Sequence, residues 1–164
     1  MKFIKLILLS AIAFFLLACA VSFFIPSHIR VLRMVSIAKT NDSVLNPVRD
    51  LEQWKNWYPG FQNENLQELS LDQGRVVSAR AGDVRLQIKE STDSSVVVVM
   101  ERNVNRPVIS GWQINTDYRN DSLALQGYMD FTLKWYPWEK FASLLLDKSY
   151  GDRLTEGLSN LKNQ

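Results

Sequence analysis

Asp50-Leu51-Glu52-Gln53-Trp54-Lys55-Asn56-Trp57-Tyr58-Pro59-Gly60-Phe61 carries more information than any other run in this 164-residue chain. Leu51, Trp54 and Trp57 recur at helical spacing, so they share one face of a short helix. Tyr58-Pro59-Gly60 then stops it, because Pro and Gly punctuate local structure. Indole rings are large and apolar, so this corner has to be packed or has to hold something apolar.

Upstream, Ile29, Val31, Val35 and Ile37 alternate with Arg30, Leu32, Met34 and Ser36, the period of a strand with one apolar face. Arg33 interrupts that face. Thr40-Asn41-Asp42-Ser43 offers N-caps for a short helix through Val44, Leu45 and Val48, which Pro47 must shorten or kink.

Downstream, strands are expected over 66–71 and 75–80, around Val84, Leu86 and Ile88, over Val96–Met100 and Val108–Tyr118, and from Leu123 to Trp135. Turns at Asp72-Gln73-Gly74, Ala81-Gly82-Asp83 and Asn120-Asp121 link them into an antiparallel meander. After Tyr136-Pro137 the apolar period changes. Trp138, Phe141, Leu145, Leu154, Leu158 and Leu161 form the stripe of one long helix starting at Pro137. Gly151 and Gly157, poor helix formers, are expected to bend it or to let it approach a sheet closely.

Leu6 to Ile25 is a run of 20 residues without a charge, preceded by Lys2 and Lys5 and closed by Pro26. At 1.5 Å per residue such a helix spans a bilayer core about 30 Å thick. Three readings compete. The favoured one is a retained membrane anchor. A cleaved signal peptide fits Ala18-Cys19-Ala20 but leaves a greasy new terminus. A lipoprotein signal fits Leu16-Leu17-Ala18-Cys19 with a poor match before the cysteine. All three place the remainder, residues 27–164, at or across a membrane. Lys2 and Lys5 favour an N-terminus inside and the domain on the outer, periplasmic side, with Arg30, Arg33 and Lys39 nearly balancing them.

Beyond that run the charges cancel: 17 Lys and Arg remain once Lys2 and Lys5 are set aside, against 17 Asp and Glu. No basic stripe is present, so nucleic acid is not an expected partner. One cysteine, Cys19, excludes an intrachain disulfide and a thiolate zinc site. One histidine, His28, excludes polyhistidine metal sites and leaves little room for a Ser-His-Asp device. No metal or cofactor is implied.

The order of one strand, two short helices, a long meander and a C-terminal helix resembles the START-like, or SRPBCC, helix-grip fold. The chain looks like membrane-anchored bacterial members of that superfamily, often labelled polyketide cyclase/dehydrase-like. The resemblance rests on Val31-Leu32-Arg33, Val44, Asp50 to Pro59, Trp135-Tyr136-Pro137-Trp138-Glu139-Lys140-Phe141, Gly151 to Leu158 and Leu161-Lys162, with Ile25-Pro26-Ser27 after the apolar run. Pro47 departs from the usual uninterrupted helix. The resemblance implies an α+β fold in which a curved antiparallel sheet wraps the C-terminal helix around an apolar cavity. It also implies ligands such as lipids, sterols, polyketides or plant hormones.

The expected cavity lining is Trp54, Trp57, Trp112, Met129, Phe131, Trp135, Phe141 and Leu145; Arg33 shares the inward parity and could anchor an acidic head group there, the plainer reading being a salt bridge with a neighbouring strand. Taken singly, each apolar residue is better read as core filling; as a group they point to a cavity. Asp130 shares the polar parity of its strand and is expected to face water. No catalytic residue is assigned. Three functions fit: a tethered binder of an apolar small molecule or lipid, a cyclase- or hydrolase-like enzyme in the same cavity, and a non-catalytic interaction module of a membrane complex.

Overall fold

The computed structural model describes residues 2–37, 41–62, 64–102, 106–117 and 122–164. The expected cap Thr40, Tyr118 and the turn at Asn120-Asp121 lie outside the described residues.

Helix α1 (Lys2–Ser22) is followed by β1 (His28–Ile37) and α2 (Asn41–Leu45). Pro47 does shorten α2, which ends two residues before it. A 3-10 turn (Leu51–Gln53) and α3 (Trp54–Trp57) make the tryptophan corner. The Asp50 carboxylate accepts from the Glu52 and Val76 amides at 3.1 and 3.2 Å, so one side chain caps the turn and ties it to the sheet.

The sheet consists of β2 (Leu66–Asp72), β3 (Arg75–Ala81), β4 (Val84–Ser91), β5 (Ser95–Glu101), β6 (Pro107–Asp117) and β7 (Ser122–Thr132), with β1 returning to pair with β7. All pairings are antiparallel, in the order β1-β7-β6-β5-β4-β3-β2. Gln73 and Gly74 both take positive φ in the tight β2–β3 turn. The edge strand β2 is irregular. Its register shifts between Gln67 and Ser70, and Glu68 sits at φ 50.

Alternation puts Val31, Leu86, Val96, Val98, Met100, Trp112, Leu125 and Met129 on the inner face, all buried. On the outer face Tyr128 lies across its cross-strand partner Gly111, where a Cβ would overlap the ring. The Arg30 guanidinium stacks on Tyr128 at 4.3 Å and forks onto Asp130 at 2.6 and 2.7 Å.

The C-terminal segment is helical in two parts: α4 (Pro137–Ala142), then a 3-10 turn (Ser143–Leu145) leading into α5 (Leu146–Asn163). The single long helix expected from the period is therefore broken. Three residues at 3.0 per turn advance the helical phase further than three at 3.6, so the stripes before and after the break do not coincide. Leu154, Leu158 and Leu161 of α5 are buried against the sheet, whereas Phe141 and Leu145 are exposed. Both glycines serve close approach: Gly151 abuts Arg33 of β1, and Gly157 faces the rings of Trp57 and Tyr58. The result is an α+β helix-grip fold, a curved seven-stranded antiparallel sheet holding a long C-terminal helix.

Candidate functional site

The tryptophan corner is solid. Trp54, Trp57 and Trp112 are fully buried, with ring centroids 4.9–6.2 Å apart. Trp54 Nε1 donates to the Val48 carbonyl at 3.0 Å, and Trp57 Nε1 donates to the Pro47 carbonyl at 3.2 Å. These three rings fill the core and line no cavity, which corrects the expectation for them. Phe131 is also buried, packed on Tyr150 at 4.8 Å between centroids.

Four further expectations are corrected. Trp135, just before α4, is 67% exposed, and Leu145 and Phe141 on the broken helix are 64% and 39% exposed. Arg33 is not among the residues that line the open cleft beside Tyr58 and Met129. Its guanidinium meets the Asp147 carboxylate at 3.0 Å on the surface beside α5. That ion pair holds the exposed Asp147 carboxyl below the ordinary carboxylate range. Asp130 forms the outer-face pair with Arg30.

The open space lies elsewhere, in a cleft of about 430 Å³. Its walls come from the loop after α3, the β3–β4 turn, the facing ends of β5 and β6, and the second turn of α5. Tyr58, Phe61, Val84, Met100, Val108 and Met129 supply the apolar surface. Of the residues expected at the cavity, Met129 alone lines this cleft.

Polar groups gather at the rim. Arg102 meets Asp83 at 3.0 Å with both side chains largely exposed, and Arg106 is paired with Glu139. Arg153 sits over the Tyr150 ring at 5.9 Å and makes no ion pair with the described residues. Burial pushes the Tyr58 phenol well above its ordinary value, with the Arg153 charge pulling weakly the other way. Tyr58 is therefore protonated at physiological pH and offers a neutral hydroxyl rather than a base.

Among the described residues no three His, Cys, Asp or Glu side chains come together in a way that would hold a metal ion. The cleft residues missed by sequence reasoning include Tyr58, Phe61, Met100, Arg102, Arg106, Tyr150 and Arg153. Tyr58 stood in the most informative run but reads there as a helix terminator. Arg102 and Arg106 are near neighbours in sequence, but Arg153 joins them only through the topology.

No family model matches the chain, and no curated protein matches it in sequence. Solved structures do match in shape. The di-domain ARO/CYC protein StfQ of the steffimycin biosynthetic pathway superposes with a TM-score of 0.59 at 11% identity over 83% of this chain and 50% of StfQ. The di-domain ARO/CYC protein BexL gives 0.54 at 11% identity over 84% of this chain and 50% of its own. The chain thus spans about half the length of both. A START superfamily protein from Mycobacterium smegmatis gives 0.50 at 16% identity over 80% of this chain and 98% of that one. At these identities the likeness concerns the fold, and that fold is START-like.

Proposed function

Taking the START-like fold as premise, we propose that this chain is a membrane-tethered binder of an amphiphilic small molecule or lipid with an anionic head. The carrying observation is the cleft of about 430 Å³, where Phe61, Val84, Met100, Val108 and Met129 meet three cations, Arg102, Arg106 and Arg153, and two acids, Glu64 and Asp83. Ligand sites are concave and of this size, and this one offers apolar and polar groups side by side, as an amphiphile requires. Guanidinium groups recognise carboxylates and phosphates by paired hydrogen bonds. Arg153 has the freest charge of the three, because Arg102 and Arg106 already meet Asp83 and Glu139. The START-like neighbours, one from a di-domain ARO/CYC protein and one from a START superfamily protein, support a cavity function on this scaffold.

The tether is residues 1–26, with the binding domain in 27–164. Phe3–Ser22 is one helix long and apolar enough to cross a membrane. Lys2 and Lys5, before the uncharged run Leu6–Ile25, favour the domain on the outer side. Among the described residues the buried ionisable group at the cleft is the neutral Tyr58 phenol, which does not favour the cyclase- or hydrolase-like reading.

The test uses the full chain in detergent and a fluorescent polyunsaturated fatty acid, compared with its methyl ester. The acid is expected to bind better than the ester. Arg153→Gln should reduce that preference, and Val108→Trp, which fills the cleft, should abolish binding of both. Equal binding of acid and ester, or binding that survives Val108→Trp, would refute the assignment.

A further inference from the structure

The segment from Trp135 to Leu145 is inside out for a protein in water. Lys140 and Ser143 are 4% exposed, while Trp138, Phe141, Leu144 and Leu145 turn outward. The buried polar groups are satisfied. Lys140 Nζ donates to the Ile25 carbonyl and to Ser27 Oγ, both at 2.8 Å. Ser143 Oγ donates to the Lys140 carbonyl at 2.6 Å. Trp135, Tyr136 and Trp138 continue the outward face, with Tyr136 and Trp138 stacked at 5.0 Å and nearly parallel.

The occupant of this face follows from where it sits. α4 packs against the last turns of α1: Ser22 is buried there, and Ala18 and Cys19 are half-buried. Ala18 to Ser22 belongs to the apolar span itself, and four residues of helix cover about 6 Å. An element that flanks those residues lies at the depth where the span meets the headgroups. Tyr and Trp concentrate at that depth, with an apolar body on one side and a polar tip on the other. Exposed Phe23 and Phe24 extend the same surface from the end of α1.

We propose that α4 and the 3-10 turn after it lie in the lipid interface as a second, monotopic contact, with Trp135, Trp138, Phe141, Leu144 and Leu145 immersed in one leaflet. The contact rests on the tether proposed above and goes beyond it. The domain does not swing on a flexible stalk but is seated on the bilayer in one orientation. Interfacial elements of this kind gain from buried apolar area without spanning. A contiguous apolar patch on a soluble domain otherwise marks an interaction surface with no occupant.

The experiment places the full chain in phosphatidylcholine nanodiscs whose acyl chains are plain or brominated close to the headgroup. Alkaline carbonate extraction of the same chain from vesicles reads the tether separately. Trp54, Trp57 and Trp112 are buried in the domain core and supply the unquenched background. The expected result is resistance to extraction together with partial loss of tryptophan emission in brominated lipid. Trp135→Phe with Trp138→Phe should remove that loss. Leu144→Glu with Leu145→Glu keeps both indoles and the Lys140 contacts, and should also remove it while the circular dichroism is unchanged. A chain that resists extraction but emits equally in plain and brominated lipid overturns the interfacial contact and spares the tether. Quenching that persists in the double Glu variant also overturns the contact. A chain released by carbonate overturns both.

Discussion

Arg33 of β1 lies against the bare backbone of Gly151 in α5, and a Cβ at 151 would overlap its guanidinium. The contact seats the helix on the sheet edge, and Asp147 one turn earlier pairs with the same guanidinium at 3.0 Å.

Gly111→Ala and Gly151→Ala should differ sharply. At 151 the obstacle is the far end of a flexible side chain, and Ala gains about 1 kcal/mol of helix propensity over Gly. The net change there is expected to be near zero. At 111 the obstacle is the Tyr128 ring, held between Gly111 and Arg30. Displacing it should cost about 1–3 kcal/mol, as overpacking does. Denaturant midpoints of the two variants check the contrast; equal values would contradict it.

The Arg33–Asp147 pair fixes the sign of one pH effect. The Asp147 carboxyl is depressed in the folded protein, chiefly by its hydrogen bond from Arg33. Its contribution is thus fully present above the unfolded carboxylate value and is lost as pH falls through the lower folded one. Asp147→Asn should lower the thermal midpoint slightly at neutral pH, with the gap to the parent closing toward about pH 2, below the usual carboxylate range. Acidification should leave the variant's curve flatter. A gap that widens in acid would contradict the pairing.

The three core indoles are not equivalent. Trp54 and Trp57 each donate to a backbone carbonyl, whereas Trp112 Nε1 is buried without a partner among the described residues. Trp→Phe removes similar volume at each site. At 54 and 57 it also leaves a carbonyl without its donor, an added cost of about 1–3 kcal/mol. At 112 it removes a costly unpaired N–H. Trp112→Phe should therefore be the mildest of the three in chemical denaturation. Each Trp→Ala should cost roughly 3–5 kcal/mol.

Lys140→Met keeps the aliphatic stem and removes the ammonium that bonds Ile25 and Ser27. The sheet should stay folded, while the junction between α1 and β1 loosens. Hydrogen exchange should show faster exchange near residues 25–28, with strands β5 to β7 still protected. Unchanged protection at the junction would show that the tie contributes nothing there.

The element order was legible because its signals are local. Alternation in β4 and β7, the β-branched run of β5, the Tyr58-Pro59-Gly60 stop and the shift to helical period after Pro137 each depend on a few neighbours. The cleft was not legible. The apolar pattern marks Trp54 or Trp112 as inward but not whether the inward side meets a neighbour or a void, which depends on how far α5 stands from each strand. Phe141 and Leu145 were misplaced for a different reason. Period alone assumes an unbroken helix and water on the outside, and Lys140 reverses that assumption by finding its partners at Ile25 and Ser27, more than a hundred residues away.

The kink at Glu68 matters most where chains share a leaflet. Proteins confined to two dimensions meet far more often than in solution, and an open strand at a sheet's rim invites a neighbour to add its own. With Glu68 at φ 50 and its carboxylate drawn toward Arg80 and Arg85, β2 offers a twisted, charged border instead of a straight ladder. Straightening it with a β-branched residue at 68, which disfavours that φ, would leave the rim open to side-by-side pairing.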